Sequence, residues 1–509
     1  MNRQTFQERE LSILRSAVDK IEKSTGYSLI NNPSVKTIIE IVEQFLREKK
    51  RICYGGTAIN NILPLKDQFY DKNVELPDYD FYSHEPMKDA KELADIYYKK
   101  GFEEVEAKAG MHPGTFKVFV NYIPVADITY LIDDIYKNIK KRAIIVDGIY
   151  YTPANYLRMS MYLELSRPNG DVSRWEKVLK RLSLLNKHYP LKGRRCDREE
   201  IQRLFEYGVK KSISSSESNS NRSDKSRDSL NSQDSNYGDS IFITVRDSLI
   251  AQGCVFFGAY ANRMVLKQHP KIKHIPVDKI PDFDVLSIEP RNTARIIKER
   301  LTDMGIKKIK IQKRNGVGEI IAPHYEIKVG KETIAFIYEP LACHSYNEIK
   351  FGSKTVRIAT IDTMLSFYLA FAYVKRPYYN ENRIICMSEY LFDVQQKNRL
   401  TQKGLLKRFT IDCYGEQLTM EKMRADKSDK YKELKNKKDS KEFDWFFLRY
   451  IPAQTNDFKK TTGKSTKKTR TKSEKETANR NKTAKKGRKK AKKTRKSTNK
   501  RTTLISLFK

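Results

Sequence analysis

Pro77-Asp78-Tyr79-Asp80-Phe81-Tyr82-Ser83-His84-Glu85-Pro86 returns further along the chain as Pro281-Asp282-Phe283-Asp284-Val285-Leu286-Ser287-Ile288-Glu289-Pro290, with six of ten positions identical in the pattern PDxDxxSxEP. Self-similarity of this kind shows how many times one unit has been used, so it ranks ahead of any single motif. The echo extends upstream, where Tyr54-Gly55-Gly56-Thr57-Ala58 faces Phe257-Gly258-Ala259-Tyr260-Ala261; Gly55 precedes Asp78 by 23 residues and Gly258 precedes Asp282 by 24. It extends downstream too, where TFKVFVNYIPVADITYL (115–131) matches HYEIKVGKETIAFIYEP (324–340). The chain therefore carries two copies of one α/β unit, each followed by helical sequence.

Within the first copy, Arg51–Tyr54 reads as a short strand broken by Gly55-Gly56, and alternation resumes at 78–83. Met87, Ala90, Leu93, Ala94 and Tyr97 share a helical face, and two strands flank an Asn121-Tyr122 turn. Ahead of them Thr5 and Glu8 form a capping box for a helix with Leu11, Leu14, Val18 and Ile21 on one face. A second helix is expected from about Val35 to Lys49. The expected class is α/β (α+β): two tandem units, each a mixed β-sheet with flanking helices. Expected boundaries are a helical segment over 1–49, the first unit over 50–145, a helical segment over 146–211 and a Ser-rich linker over 212–240. The second unit follows over 241–345, then a helical region over 346–458 and a disordered Lys/Arg-rich tail over 459–509 that ends in an apolar LISLF.

At 509 residues and 39% hydrophobic content the chain exceeds one compact core and is not globally disordered. Its 99 Lys and Arg against 63 Asp and Glu give a net charge of +36. Residues 459–509 hold 22 basic side chains against Glu474 and Glu476, a net of +20, which leaves +16 on the body. A body and a tail that are both cationic point to a polyanionic partner, most often nucleic acid. The six cysteines lie far apart, without CxxC or Cys/His metal spacing, so neither a disulfide framework nor a zinc site is expected and a reducing compartment fits. The polar N-terminus does not read as a signal peptide, and the longest apolar stretch, Met364 to Val374, is too short to span a bilayer. A soluble intracellular protein without a membrane partner is expected.

Residues i and i+2 of a strand point to one face, so Asp78 and Asp80 present two carboxylates side by side. Like charges that close repel unless cations separate them, and hard oxygen ligands suit Mg²⁺. Asp127 lies in an apolar strand, Val125-Ala126-Asp127-Ile128-Thr129-Tyr130, where a bare charge is costly. Three such carboxylates on one sheet face suit a two-metal site for in-line phosphoryl transfer. Gly55-Gly56-Thr57, between strand and helix, lets backbone amides approach phosphate oxygens. Alone, a DxD triplet, a Gly-Gly turn or a strand aspartate is commonplace; their order and spacing carry the argument. In the second copy Asp282 and Asp284 persist, but Phe336 stands where Asp127 would align, and Ala259 and Tyr260 replace Gly56 and Thr57. That copy is expected to be degenerate.

Gly-Gly-Thr, then DxD, then a strand aspartate resembles the nucleotidyltransferase superfamily of DNA polymerase β. Residues 40–450 resemble more specifically the poly(A) polymerase catalytic subunit of large nucleocytoplasmic DNA viruses, of the mimivirus and poxvirus type. The stretch Met159-Ser160-Met161-Tyr162-Leu163-Glu164-Leu165-Ser166-Arg167-Pro168-Asn169-Gly170-Asp171-Val172-Ser173-Arg174-Trp175 reads like the helical segment behind that family's catalytic sheet. The resemblance implies Asp78, Asp80 and Asp127 as ligands of two Mg²⁺ or Mn²⁺ ions, and Gly55, Gly56 and Thr57 as holders of the ATP triphosphate. It implies template-independent transfer of AMP from ATP to an RNA 3′-hydroxyl, with Asp127 orienting and helping to deprotonate that hydroxyl. Arg174 and Trp175 are candidate substrate contacts, with helix packing the equal alternative. Implied partners are the RNA 3′ end, ATP, and either a second copy of the chain or a separate viral processivity subunit. The implied location is the host cytoplasm, in a viral factory, with packaging in the virion as an extension. A terminal transferase of other base specificity and a non-catalytic RNA-binding scaffold are the alternatives left open.

Overall fold

In a computed structural model, the structure describes residues 6–71, 74–194, 196, 208–210, 231–267 and 279–454. Two helices, α1 (Phe6–Ile30) and α2 (Pro33–Lys49), lead in. The Asn32 side chain accepts the Ser34 amide at 2.9 Å and Pro33 begins α2, which buries Val35, Ile38, Ile41, Val42, Phe45 and Leu46 at helical spacing. The first unit then runs β1 (Ile52–Cys53), α3 (Gly55–Ile62), β2 (Tyr79–Ser83), α4 (Pro86–Lys99), β3 (Val105–Ala109), β4 (Thr115–Val120), β5 (Ile123–Tyr130), α5 (Asp133–Lys141), β6 (Ile144–Val146) and β7 (Ile149–Tyr151). Helices α6 (Ala154–Leu165) and α7 (Trp175–His188) follow. Asn121 and Tyr122 both have positive φ, 50° and 64°, the conformation a two-residue hairpin between twisted strands requires.

Beyond β8 (Gly208–Lys210), the second unit comprises α8 (Asn231–Ala251), β9 (Val255–Phe256), α9 (Ala259–Leu266), β10 (Lys279–Pro281), β11 (Phe283–Leu286), α10 (Pro290–Asp303), β12 (Ile309–Arg314), β13 (His324–Val329) and β14 (Glu332–Tyr338). It is completed by β15 (His344–Phe351), β16 (Lys354–Ala359), α11 (Ile361–Phe371) and α12 (Glu381–Lys397). The described chain ends with β17 (Cys413–Tyr414), α13 (Met420–Leu434), α14 (Lys441–Phe447) and β18 (Arg449–Tyr450). One eight-stranded sheet has the order β18-β3-β4-β5-β2-β1-β7-β6 and the other the order β12-β13-β14-β11-β9-β16-β15-β17. Without β18 and β17 the two orders superimpose strand for strand, so the repeated sequence is a repeated topology. The repeated S-x-E-P has a physical basis. The Ser83 hydroxyl accepts the Glu85 amide at 2.9 Å and Ser287 accepts the Glu289 amide at 3.2 Å, each just ahead of a helix-opening proline.

Three boundaries differ from the expected ones. The first sheet passes residue 145, because β7 must lie parallel beside β1 to close it. The second passes 345 for the same reason, β16 pairing parallel with β9, so 346–458 is not wholly helical. Helix α8 begins at Asn231, inside the span expected to be linker over 212–240. The tail over 459–509 lies outside the described residues. The cysteine reading is corrected as well: Cys196 bonds Cys386 and Cys343 bonds Cys413, while Cys53 and Cys254 remain buried thiols. Both pairs join segments that meet only after the second unit has folded, which sequence spacing cannot register. Gly193 lies against both sulfurs of the first pair, leaving no room there for a Cβ. The halves also share packing, α6 against α11, and strand pairing, since β18 extends the first sheet along β3. Among the described residues no helix is long and apolar enough to cross a membrane.

Candidate active site

Strands β2 and β5 run parallel with Asp80 directly opposite Asp127. Registered partners share a sheet face at a strand separation of ~4.8 Å, so the two carboxylates stand side by side. Tyr79 turns its ring into the core, which leaves Asp78, just before β2, on the same open side as Asp80. Asp127 is buried and Asp78 exposed, so the acidic group opens outward from the sheet. Burial pushes the Tyr54 phenol up, and Asp80, Asp127 and Asp78 all add to that push, so one point in the fold feels all three carboxylates.

The glycine loop lies over this group. The Tyr54 amide donates to the Asp80 carbonyl at 2.9 Å, after which Gly55 takes φ +75° and α3 begins. A Cβ on Gly55 would stand 2.7 Å from Asp80 Oδ2, and one on Gly56 would stand 2.5 Å from Tyr70 Oη and 2.9 Å from Arg181 Nη1. Only glycine leaves this space, next to the first-turn amides of α3 that have no partner within the helix. The Thr57 hydroxyl donates to the Asp78 carbonyl at 2.7 Å and fixes the turn carrying the first carboxylate.

Cations that sequence reading missed converge here. Arg181 on α7 donates to Tyr70 Oη at 2.6 Å and its guanidinium stacks over Phe69 and Tyr70 at 4.7 and 5.3 Å. Lys177 lies one turn earlier, and burial with Arg181 and Arg174 nearby lowers its ammonium pKa. Lys117 of β4 pairs in register with Asp127 and bonds its carboxylate. Strand alternation counted back through the Asn121-Tyr122 turn would set Lys117 opposite Ala126; the register shift between Val118 and Phe119 moves it opposite Asp127, which the sequence pattern does not show. For Arg181 there was no signal either, since α7 reaches the loop only through tertiary packing. The Arg174 guanidinium stands 3.2 Å from Glu164 and the Trp175 indole donates to the Glu164 carbonyl at 3.0 Å.

Three carboxylates on adjacent strands are the donor chemistry that Mg²⁺ or Mn²⁺ takes. Among the described residues no three of His, Cys, Asp or Glu close into a ready metal cage, and Asp127 is paired with Lys117. The chain supplies a matching donor set with a lysine ammonium standing at its inner end.

The second copy shows what loss of the set does. Asp284 on β11 faces Phe336 on β14 in the register that sets Asp80 against Asp127. Tyr260, in the place of Thr57, packs with Phe242, Phe256 and Phe283. Asp282, Asp284 and Arg383 instead line a small pocket of about 60 Å³ that also has Tyr338, Tyr368, Tyr378 and Tyr379 in its wall. Burial pushes the Asp284 carboxyl up to about 7 while Arg383 pulls it back. An acid with a raised native pKa contributes stability below its unfolded value near 4 and loses it as pH climbs through about 7. Asp284→Asn is therefore expected to raise Tm at pH 8, to leave it unchanged at pH 4, and to leave any AMP transfer intact. Melting curves across that range beside a primer-extension assay check all three.

Residues 40–171 match the family model described as poly(A) polymerase catalytic subunit. The chain is 36% identical over 160 residues to a protein named as a poly(A) polymerase catalytic subunit in Acanthamoeba polyphaga mimivirus, covering 31% of this chain and 27% of that one. It is 34% identical over 167 residues to one so named in African swine fever virus (strain Badajoz 1971 Vero-adapted), covering 32% and 35%. The matches thus span about a third or less of those relatives. The crystal structure of the Megavirus polyadenylate synthase superimposes with a TM-score of 0.67 at 20% identity, over 92% of this chain and 91% of that one. The segment bearing the three carboxylates is thus similar to proteins named as viral poly(A) polymerase catalytic subunits, and the chain shares the fold of the Megavirus polyadenylate synthase.

Proposed function

We propose that this chain is a template-independent polynucleotide adenylyltransferase that joins AMP from ATP to RNA 3′ ends and releases pyrophosphate. The observation that carries the reading is Asp80 set in register against Asp127, with Asp78 on the same face and Gly55-Gly56 directly above. Asp78, Asp80 and Asp127 would hold Mg²⁺ or Mn²⁺, which when bound lowers the pKa of the attacking hydroxyl and screens triphosphate charge. The chain's own part is positioning. The α3 amides at Gly55 and Gly56 face the phosphates, and Lys177 and Arg181 supply positive charge beside them. Asp127 orients the primer hydroxyl, and Lys117 neutralises Asp127 until the substrates arrive.

The proposed site of action is the host cytoplasm. A second copy or a processivity subunit would dock on the stripe of Leu11, Leu14, Val18 and Ile21 left exposed on α1.

The test is purified protein with an unlabelled 3′ end on an oligo(A) or oligo(U) primer, Mg²⁺ or Mn²⁺, and each nucleoside triphosphate alone. A ladder with ATP only is the expected result. Extension with UTP or CTP would keep the site and change the base. Tight RNA binding without extension would make the chain a scaffold.

A further inference from the structure

A row of registered residues crosses the first sheet from its outer edge to the carboxylates. Arg449 of β18 stands opposite Lys108 of β3, Lys108 opposite Lys117 of β4, Lys117 opposite Asp127 of β5, and Asp127 opposite Asp80 of β2. Registered partners project from one face, so three cations and two carboxylates lie in line. At ~4.8 Å per strand the cations cover roughly 14 Å up to Asp127. Their side-chain exposure falls in order along the row: 74% for Arg449, 44% for Lys108, 22% for Lys117 and 7% for Asp127. The row is a ramp, open at the sheet edge and closed at the chemistry.

We propose that Arg449, Lys108 and Lys117 form a track for the phosphates of the primer strand and lead its 3′ end to Asp127. The inference rests on the adenylyltransferase reading and adds the path of the acceptor. Glu106, on the same face as Lys108, lies 3.0 Å from Arg449 and 3.3 Å from Lys108. One carboxylate between two cations holds both extended, and pairs this exposed are weak enough for phosphate to displace. The Lys108 ammonium also stands 4.1 Å over the half-buried ring of Phe119, a flat surface on the same face where a base can stack. The track has a continuation in the sequence, because the run with net charge +20 starts at Lys459, ten residues beyond Arg449. The row also gives β18 a role in binding beyond closing an edge.

The experiment measures binding of a 5′-fluorescent oligo(A) primer to the full chain by anisotropy, from 50 to 200 mM salt. Each phosphate neutralised on a single strand adds about −0.7 to the slope of log K against log salt. Lys108→Gln/Arg449→Gln is expected to make that slope shallower by about 1.4 and to raise KM for primer while KM for ATP holds. Lys108→Arg should keep the wild-type slope. An unchanged slope in the double variant overturns the track. So does a Lys108→Arg variant as impaired as Lys108→Gln, which would show a merely structural role. Failure of the wild-type protein to extend with any nucleotide would overturn the adenylyltransferase reading instead, and the anisotropy slope would still decide the track.

Discussion

Asp127→Asn is expected to cut single-turnover AMP transfer by ~10³-fold or more, equivalent to ~4 kcal/mol of transition-state stabilisation. The substitution keeps shape and keeps an oxygen for Lys117, so what it removes is one negative charge. That charge stands in the row between Lys117 and Asp80. Without it the donor set drops to Asp78 and Asp80, the state already displayed by Asp282 and Asp284 opposite Phe336. Mn²⁺ binding should weaken in parallel, while primer anisotropy stays near wild type. Activity within tenfold of wild type would remove Asp127 from the site. Asp80→Asn should behave alike.

Gly55→Ala is expected to lower kcat by about 10²-fold through geometry alone, as an ångström of misplacement does elsewhere. At φ +75° any residue with a Cβ sits in the left-handed region at a cost of ~1 kcal/mol or more. Here the added carbon would stand 2.7 Å from Asp80 Oδ2, so the carboxylate must swing or the turn must open. Gly56→Ala differs in kind: its Cβ meets the ends of Tyr70 and Arg181, which can shift, so the loss should fall on KM for ATP. Steady-state constants with Tm for both variants separate the cases. Equal kcat in Gly55→Ala and wild type would mean that the turn does not set Asp80.

The duplicated unit was legible because its signals are local. PDxDxxSxEP contains strand alternation, a serine that caps a backbone amide and a proline that opens a helix, and each acts within ten residues. Asp78 and Asp80 could be placed on one face from strand parity, and the Asp127 to Phe336 replacement from the alignment of the halves; the register that sets Asp127 against Asp80 comes from the pairing of β2 with β5. What escaped depends on contacts made late. A two-residue strand such as Arg449–Tyr450 carries no periodicity, so its pairing with β3 left no trace. Cys196 and Cys386 are 190 residues apart and become neighbours only through α12. Arg181 lies on an ordinary amphipathic helix, and only the packing of α7 brings it to Gly56. The start of α8 at Asn231 sits in Ser/Asn/Asp-rich sequence whose composition favours a linker.

The pairing of β18 with β3 also sets a clock. Synthesis proceeds from the N-terminus at roughly 5–20 residues per second, so the 340 residues from Ala109 to Arg449 take roughly 20–70 s to emerge. Through that interval the nascent first sheet has an open β3 edge, and Gly114 lacks the Trp445 ring that later covers it. An unpaired edge is a template for wrong partners. A ribosome that stalls before Trp445 leaves behind three aspartates on an unfinished sheet, so maturation of this chain waits on synthesis past Tyr450.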